Sequence, residues 1–544
     1  MASKSFLSKS NSRRSELLMP AGSLMKFKTA ILYGADAVYA GTPEMSLRTK
    51  SEFSLEDLAE GIRFAHDRGK RVYLTLNLFS HNSDVEKLPH FLATIREIKP
   101  DGLIISDPGI FQYVKEKAPE LELHVSTQAS VCSWLTVDYW KQQGASLCVM
   151  ARELSFEELK EIRKKCPDMR LETFAHGSMC MTYSGRCLLS NYMAERRSNS
   201  GNCAHSCRWN YKLRVRIKDG TLHEIELNDS NKNLFEFLLE EEFRPGQIFP
   251  IEEDEHGSYI LNSKDLCLMP KLNQYLELGI DSLKVEGRHK TNYYVATVAK
   301  AYRQAIDDWY RNPDSWKPEP YMRELQAVQN RGYTLAFHHG RLTNLAHNFE
   351  SSKSVSPHEF AGYIREWQGE DMIFEIKNEI LPGDLIEFIS PVNPTPIRMR
   401  LQHFTDALTG EITEKVSAGQ SKAIRIHHSL FTSIKNLKKT TSSLTSVQKI
   451  LPPLTVARKS KYITPSEQSR LLLDIETQAA EIQSLYVPEA RKQALLEDIR
   501  FSREHALSLK VRKGPKMGSE GCCGKGCNGC LIFWHSDNKK SIPR

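Results

Sequence analysis

From Glu16 onward, short apolar runs alternate with amphipathic stretches. "ELLMPAG" (16–22) stops at Pro and Gly, and an amphipathic segment leads to "DAVYAG" (36–41). The pattern continues through "RVYLTLN" (71–77), "GLIISDPG" (102–109), "LHVSTQ" (123–128), "SLCVMAREL" (146–154) and "RLETFAHG" (170–177). Helical periodicity fills the gaps, in "SLEDLAEGIRFAHDRG", "VEKLPHFLATIREIKP", "WLTVDYWKQQG" and "SFEELKEIRKKC". Ser54 opens the first of these. Asp57, three residues on, predicts a capping box with Asp where Glu or Gln is usual. An eighth run, "DSLKVEG" (281–287), follows a helix-like "KDLCLMPKLNQYLELG" and precedes a last helix, "NYYVATVAKAYRQAIDDWY". Eight strand–helix rounds predict an α/β fold, a (β/α)8 TIM-like barrel over residues 15–345. An open doubly wound sheet is the alternative.

A barrel places its chemistry at the C-terminal ends of its strands. Here those ends carry Asn77, Asp107, Gln128, Arg152, His176 and Glu286, with Arg288 just beyond. Each alone reads as a cap or a packing residue. Together they predict a polar pocket of both charge signs, with Arg152, Arg288, Glu286, Asp107 and Gln128 as substrate-binding candidates.

About 100 residues separate runs seven and eight, far more than a usual βα loop. The insertion (178–263) holds four cysteines directly after run seven, spaced C-x6-C-x15-C-x3-C: Cys180, Cys187, Cys203 and Cys207. One zinc ion needs sulfurs roughly 3.8 Å apart. Residues seven apart on a helix are separated by about 10.5 Å along its axis. Gly185 offers a break that shortens the gap, and Cys203/Cys207 alone fit a tight zinc pair. An iron–sulfur cluster tolerates the wider spacing better, and zinc or unliganded thiols stay open. Glu172, His176, Tyr183 and Arg186 surround the first pair, with Arg196, Arg197 and Arg208 around the second. Such cations stabilise thiolates and suit an anionic substrate.

Residues 355–432 change period. "FAGYIREW", "MIFEIKN", "DLIEFIS" and "KAIRIHH", with a "PGD" turn, predict a small antiparallel β-barrel domain. Residues 433–464 are rich in Lys, Ser and Thr and read as a basic linker. Two Pro-opened helices are expected within 465–510, then a cysteine-rich tail, 511–544.

Twelve cysteines in bunches do not suggest a secreted disulfide scaffold. Residues 1–14 read as a disordered basic arm without the apolar core of a secretory signal. No stretch reaches the roughly 18 apolar residues of a membrane span. These features predict a cytoplasmic protein with reduced thiols and no membrane. A net charge of +7 permits a nucleic-acid partner without requiring one.

The stretch "E-x-F-x2-G-S-M-C-x4-G-x-C-x-L-S" at 172–190 resembles the signature of the collagenase-like, unassigned peptidase family 32. The likeness runs from "ELLMPAG" through "SDPG", "EDEHGSYILNSKDL" and "LKVEGR" to about residue 430. "SGRCLLSNY", "CRWNY" and "YRQAIDDW" resemble the tRNA-hydroxylating subgroup of that family. That resemblance implies 5-hydroxyuridine formation at the tRNA wobble position, the first step toward 5-carboxymethoxyuridine. It further implies prephenate as co-substrate and a 4Fe-4S cluster on Cys180, Cys187, Cys203 and Cys207. Arg152, Arg186 and Arg288 are then expected to meet the prephenate carboxylates. His176, Glu172 and Tyr183 become acid–base candidates. Other relatives hydroxylate ribosomal RNA or a quinone precursor. Peptidase activity is the rival, but neither G-x-S-x-G nor H-E-x-x-H occurs.

Shorter members of the subgroup end near the β-domain, so the C-terminal extension is a departure. Arg458, Lys459, Lys461, Lys510, Arg512, Lys513 and Lys516 there are expected to contact tRNA phosphates. The tail "CCGKGCNGC" is similar to the short cysteine motif of oxidoreductase-like proteins. It is expected to hold a second, accessory metal on Cys522, Cys523, Cys527 and Cys530, with an exposed thiol tail as the alternative. Its C-x3-C-x2-C subset matches radical-SAM spacing only superficially, because that triad belongs on an early barrel loop.

Overall fold

Each of the eight apolar runs forms a strand: β1 (Glu16–Ala21), β2 (Ala37–Gly41), β3 (Arg71–Leu76), β4 (Gly102–Ile105), β5 (Glu122–Val125), β6 (Leu147–Val149) and β7 (Arg170–Ser178), with the eighth after the insertion. The computed structural model describes residues 14–42, 53–78, 80–179, 263–340, 356–381, 383–401, 403–413, 422–432 and 444–460. It adds short strands between 214 and 259, residue 416, and helical positions between 472 and 507. The insertion holds β8 (Arg214–Arg216), β9 (Leu222–Glu224), β10 (Phe237–Glu240), β11 (Ile248–Asp254) and β12 (Gly257–Tyr259), all antiparallel pairs. β13 (Asp265–Cys267) pairs antiparallel with β7, and β14 (Ser282–Val285) is the eighth barrel strand. β14 pairs in parallel with both β7 and β1, which closes the barrel.

Local chemistry sets the helix starts. Ser23, Ser54, Ser133 and Ser155 each accept a first-turn amide. The capping box at Ser54 forms with Asp57 as expected. The helix-like reading of "KDLCLMPKLNQYLELG" is corrected: only Leu272–Glu277 is α-helical. Asp265–Cys267 joins the sheet beside β7, and Asp265 forms a buried ion pair with Arg331. Outward residues such as Leu17, Val38, Leu103 and Leu283 pack under the helices. β15 (Tyr333–Thr334) extends the sheet beyond β13.

The second domain is a seven-stranded antiparallel sheet. It comprises β16 (His358–Gln368), β17 (Asp371–Ile376), β18 (Asp384–Ile389), β19 (Ile397–Leu401), β20 (Thr405–Asp406), β21 (Ala423–His427) and β22 (Val456–Ser460). The order is β19-β18-β22-β16-β17-β21-β20, a curled sheet whose edge strands do not pair with each other among the described residues. β22 corrects the linker expected at 433–464. Leu444–Ile450 is a helix, and Val456–Ser460 lies between β16 and β18.

That placement removes Arg458 and Lys459 from the expected RNA-binding surface. Arg458 is buried, with Nε 2.8 Å from Glu387 and Nη1 2.9 Å from Glu324. Lys459 pairs with Glu359 and Asp384. Removing one partner of a buried pair strands the other charge. Arg458→Met is expected to destabilise the protein by about 3 kcal/mol, the low end for such changes because Arg398 still donates to Glu387. Denaturant unfolding checks this. An unchanged unfolding midpoint would return Arg458 to the solvated surface.

The chain divides into two units, Met1–Ser460 and Lys461–Arg544. Within the first, the Tyr33 hydroxyl donates to the Ile389 carbonyl at 2.5 Å and accepts from the Val456 amide at 3.0 Å. These bonds tie the barrel to the sheet. In the second, the described positions between 472 and 507 are helical. Lys461, Lys510, Arg512, Lys513, Lys516 and the tail cysteines 522, 523, 527 and 530 lie outside the described residues. Among the described residues, no helix is long and apolar enough to cross a membrane.

Candidate active site at the barrel mouth

TIM-barrel interiors are usually packed with branched apolar side chains. This one holds a separate apolar cluster of five residues, Leu18, Ala37, Tyr39, Tyr73 and Ile104. Charged pairs take much of the rest. Glu16 of β1 pairs with Arg71 of β3, and Arg170 of β7 donates to Glu122 of β5 at 2.9 Å. His124 lies 3.2 Å from Glu122 and 4.4 Å, ring to ring, from Tyr73. Pairing offsets the large desolvation cost of burying such charges.

Burial pushes the Glu16 carboxyl up to about 7 from a usual 4.5, with Arg71 opposing the shift. The folded state therefore binds more protons than the unfolded state between those values. Stability from this group falls as pH rises through the window, by about 3 kcal/mol in all. Burial lowers His124 and His176, which act in the opposite sense as pH falls. The effect is read as a difference: Glu16→Gln is expected to lose less stability than wild type between about pH 5 and pH 8. Parallel stability–pH curves would refute it.

Above this layer, three cations gather around two rings. Lys284 Nζ lies 2.8 Å from Glu172, whose other oxygen accepts from Ser282 Oγ at 2.7 Å. The same ammonium lies 4.6 Å from the Tyr39 ring and 5.7 Å from Phe174. The Arg152 guanidinium sits 4.6 Å from Phe174 and donates to the Ser178 carbonyl at 2.7 Å. Arg288 lies 6.0 Å from Tyr39 and donates to Thr75 Oγ1 at 3.2 Å. Gly22 makes room for this loop: a Cβ there would sit 2.1 Å from the Arg288 carbonyl oxygen.

The structure thus places Arg152 beside Phe174 and Arg288 near Tyr39, with Lys284 near both rings. It adds Lys284, Tyr39, Phe174 and Thr75, which sequence reasoning missed. Lys284 had a signal, a lysine between Leu283 and Val285 in the strand run "SLKV". Glu172 is fully buried and serves as the counter-ion of Lys284. His176 is ringed by Tyr294, Tyr302 and Tyr333, with centroids 5.2–5.9 Å away. Burial lowers its pKa to about 3, so the ring is neutral and a weak base. This placement does not support its acid–base role.

Asp107 caps the helix Pro108–Lys117, accepting from Gly109 and Ile110 amides at 2.8 and 3.0 Å. That carboxylate oxygen is occupied by capping, the role Asp107 also offered as a single residue. Gln128 is buried in a turn after β5, accepting from Ser126 Oγ at 3.4 Å. Glu286 uses its backbone to bond the His176 carbonyl and the Tyr294 hydroxyl. Asn77 is buried at the end of β3.

Cys180, Cys187, Cys203 and Cys207, with Tyr183, Arg186, Arg196, Arg197 and Arg208, lie outside the described residues. The flanks of their segment are described. Ser263 Oγ donates to the Met179 carbonyl at 3.0 Å, and Asp265 pairs with Ser178 across β13 and β7. The cysteine-bearing segment therefore leaves and re-enters the fold at one place, the mouth end of β7. Four thiols form a soft donor set suited to iron–sulfur or zinc binding.

The profile of Peptidase family U32 matches residues 22–348. The chain is 39% identical over 410 residues to "tRNA hydroxylation protein P" of Escherichia coli, covering 72% of this chain and 89% of that protein. It is 40% identical over 398 residues to the protein of the same name from Haemophilus influenzae, covering 69% and 86%. It is 31% identical over 297 residues to the Escherichia coli "23S rRNA 5-hydroxycytidine C2501 synthase", covering 55% and 40%. The chain belongs to peptidase family U32.

Proposed function

We propose that this chain is an RNA-hydroxylating enzyme that converts a tRNA wobble uridine to 5-hydroxyuridine, with prephenate as co-substrate. The observation that carries this reading is the mouth, where Arg152, Lys284 and Arg288 surround the rings of Tyr39 and Phe174. A small cyclic dicarboxylate complements such a set: its carboxylates meet cations and its ring meets aromatic faces. The relatives named for tRNA and rRNA hydroxylation supply the reaction class.

In this reading the arginines orient the co-substrate, and Glu172 holds the Lys284 ammonium in place. The packed lumen below excludes water. Cys180, Cys187, Cys203 and Cys207 would hold a 4Fe-4S cluster, which supplies one-electron chemistry when bound. In this reading the protein meets tRNA in the cytoplasm. Proteolysis finds little support in the described thiols. Burial pushes Cys148 and Cys267 up to about 12, so neither is a ready nucleophile.

The test is mass spectrometry of tRNA nucleosides from a strain lacking this gene and any redundant pathway. The expected result is loss of 5-hydroxyuridine and its derivatives, restored by the wild-type gene. Unchanged tRNA with a missing hydroxylated rRNA base would move the substrate to rRNA. No change in either RNA would reject the reading.

A further inference from the structure

The β-domain carries a second cluster of ligating side chains, on elements distinct from the barrel mouth. The turn between β16 and β17 supplies Glu370, and the end of β21 supplies His427 and His428. β17 and β21 pair with Asp371 opposite His427, so register alone brings the turn beside the two histidines. The His428 amide fixes this approach by donating to the Glu370 carbonyl at 2.9 Å. Adjacent strand residues point to opposite faces. Here the strand ends at His427, and the turn swings His428 back toward the same carboxylate.

His427 Nε2 lies 3.0 Å and His428 Nδ1 3.9 Å from Glu370 Oε2. The imidazole centroids are 4.7 Å apart, and the three donor atoms all lie within 4.8 Å of one another. Two features distinguish the group from an ordinary histidine–glutamate contact. First, His428 Nδ1 is buried and makes no hydrogen bond among the described residues. Second, Ser429 Oγ sits 2.8 Å from His427 Nδ1. A proton on Nδ1, donated to that hydroxyl, leaves the Nε2 lone pair facing Glu370. Metal-bound histidines generally keep such an outer hydrogen bond. The Ser429 amide, 3.3 Å from Nδ1, favours the other tautomer when no ion is bound, so binding moves the ring proton.

We propose that Glu370, His427 and His428 form a site for a divalent first-row transition ion, zinc foremost. Two imidazole nitrogens and one carboxylate oxygen make a three-ligand set, with a fourth position open to water. Imidazole donors select zinc and its neighbours over magnesium or calcium. Small side-chain rotations bring the donors within reach of bonds of roughly 2.0–2.2 Å.

The test uses full-length protein in equilibrium dialysis against about micromolar zinc, with bound metal counted per chain. Three proteins are compared: wild type, the double variant His427→Asn/His428→Asn, and Glu370→Gln. The cysteines contribute equally to all three and cancel. Wild type is expected to hold one more zinc than the double variant. Glu370→Gln is expected to bind that zinc at least about 10-fold more weakly, as even outer-contact losses do. Zinc should also raise the melting temperature of wild type more than that of either variant. Equal zinc counts in wild type and double variant would overturn the proposal. If the double variant fails to fold, unchanged affinity in Glu370→Gln overturns it alone.

Discussion

Replacing Cys180 by serine is expected to reduce uridine hydroxylation to background and to strip the protein of most of its iron. Serine retains the shape of cysteine, but its hydroxyl is a hard, protonated donor at neutral pH. Iron–sulfur clusters are held by thiolates. Losing an outer contact to a metal ligand already costs roughly 10–100-fold in affinity or activity, and losing the ligand itself costs more. Under the proposed function the effect is catalytic as well as structural, because the described flanks of the segment lie at the mouth end of β7. Cys180 follows Met179, whose carbonyl is pinned by Ser263 at the end of β7. The measurements are iron per chain and visible absorption after anaerobic purification, followed by nucleoside analysis. Cys132→Ser is the control: that thiol is exposed and lies in the loop after β5. A Cys180→Ser protein with full iron content and full activity would remove Cys180 from the ligand set. Full activity with stoichiometric zinc and no iron in wild type would remove the cluster.

What sequence reveals here depends on how local its cause is. The eight barrel strands are legible because apolar runs and their Gly, Pro and Ser punctuation are local signals, and each run forms a strand close to where it is expected. β22 was hidden because "TVARKSKY" reads as solvated charge. Arg458 is tolerated inside because it meets Glu387 and Glu324, which lie 71 and 134 residues away in sequence. β13 was hidden because its residues fit a helical period, while Arg331 and the edge of β7 draw them into the sheet. The mouth was half legible. Arg152 and Arg288 follow from their positions after strands. The pairing of Glu172 with Lys284 requires the closing register of β7 on β14. The surroundings of His176 were illegible for a related reason: the β7–β14 register shifts between Lys284 and Val285, beside His176. Its ring meets tyrosines from the helix Asn292–Arg311 and β15.

Lys284→Met is expected to do two separable kinds of damage, one to stability and one to co-substrate binding. The stability loss comes from Glu172, which is fully buried and among the described residues would keep the Ser282 hydroxyl as its side-chain hydrogen-bond partner. Breaking a buried ion pair on one side typically costs about 3–5 kcal/mol. Adding Glu172→Gln removes the stranded charge, so the double variant is expected to recover much of that stability. Binding should not recover. A hydrogen bond to a charged group contributes about 1.5–3 kcal/mol, so under the proposed function loss of the ammonium is expected to raise KM for prephenate roughly 10–100-fold in both variants. The KM measurement on the refolded double variant is therefore decisive, because a purely structural lysine would show normal KM once stability returned. Wild-type KM in that protein would leave the carboxylates of prephenate to the two arginines. Stability that stays low in the double variant would show that the Lys284 ammonium holds the barrel through the rings of Tyr39 and Phe174. Glu172→Gln alone supplies the complementary arm. It leaves Lys284 in place without its carboxylate partner, so stability should fall while a dianionic co-substrate still finds its cation.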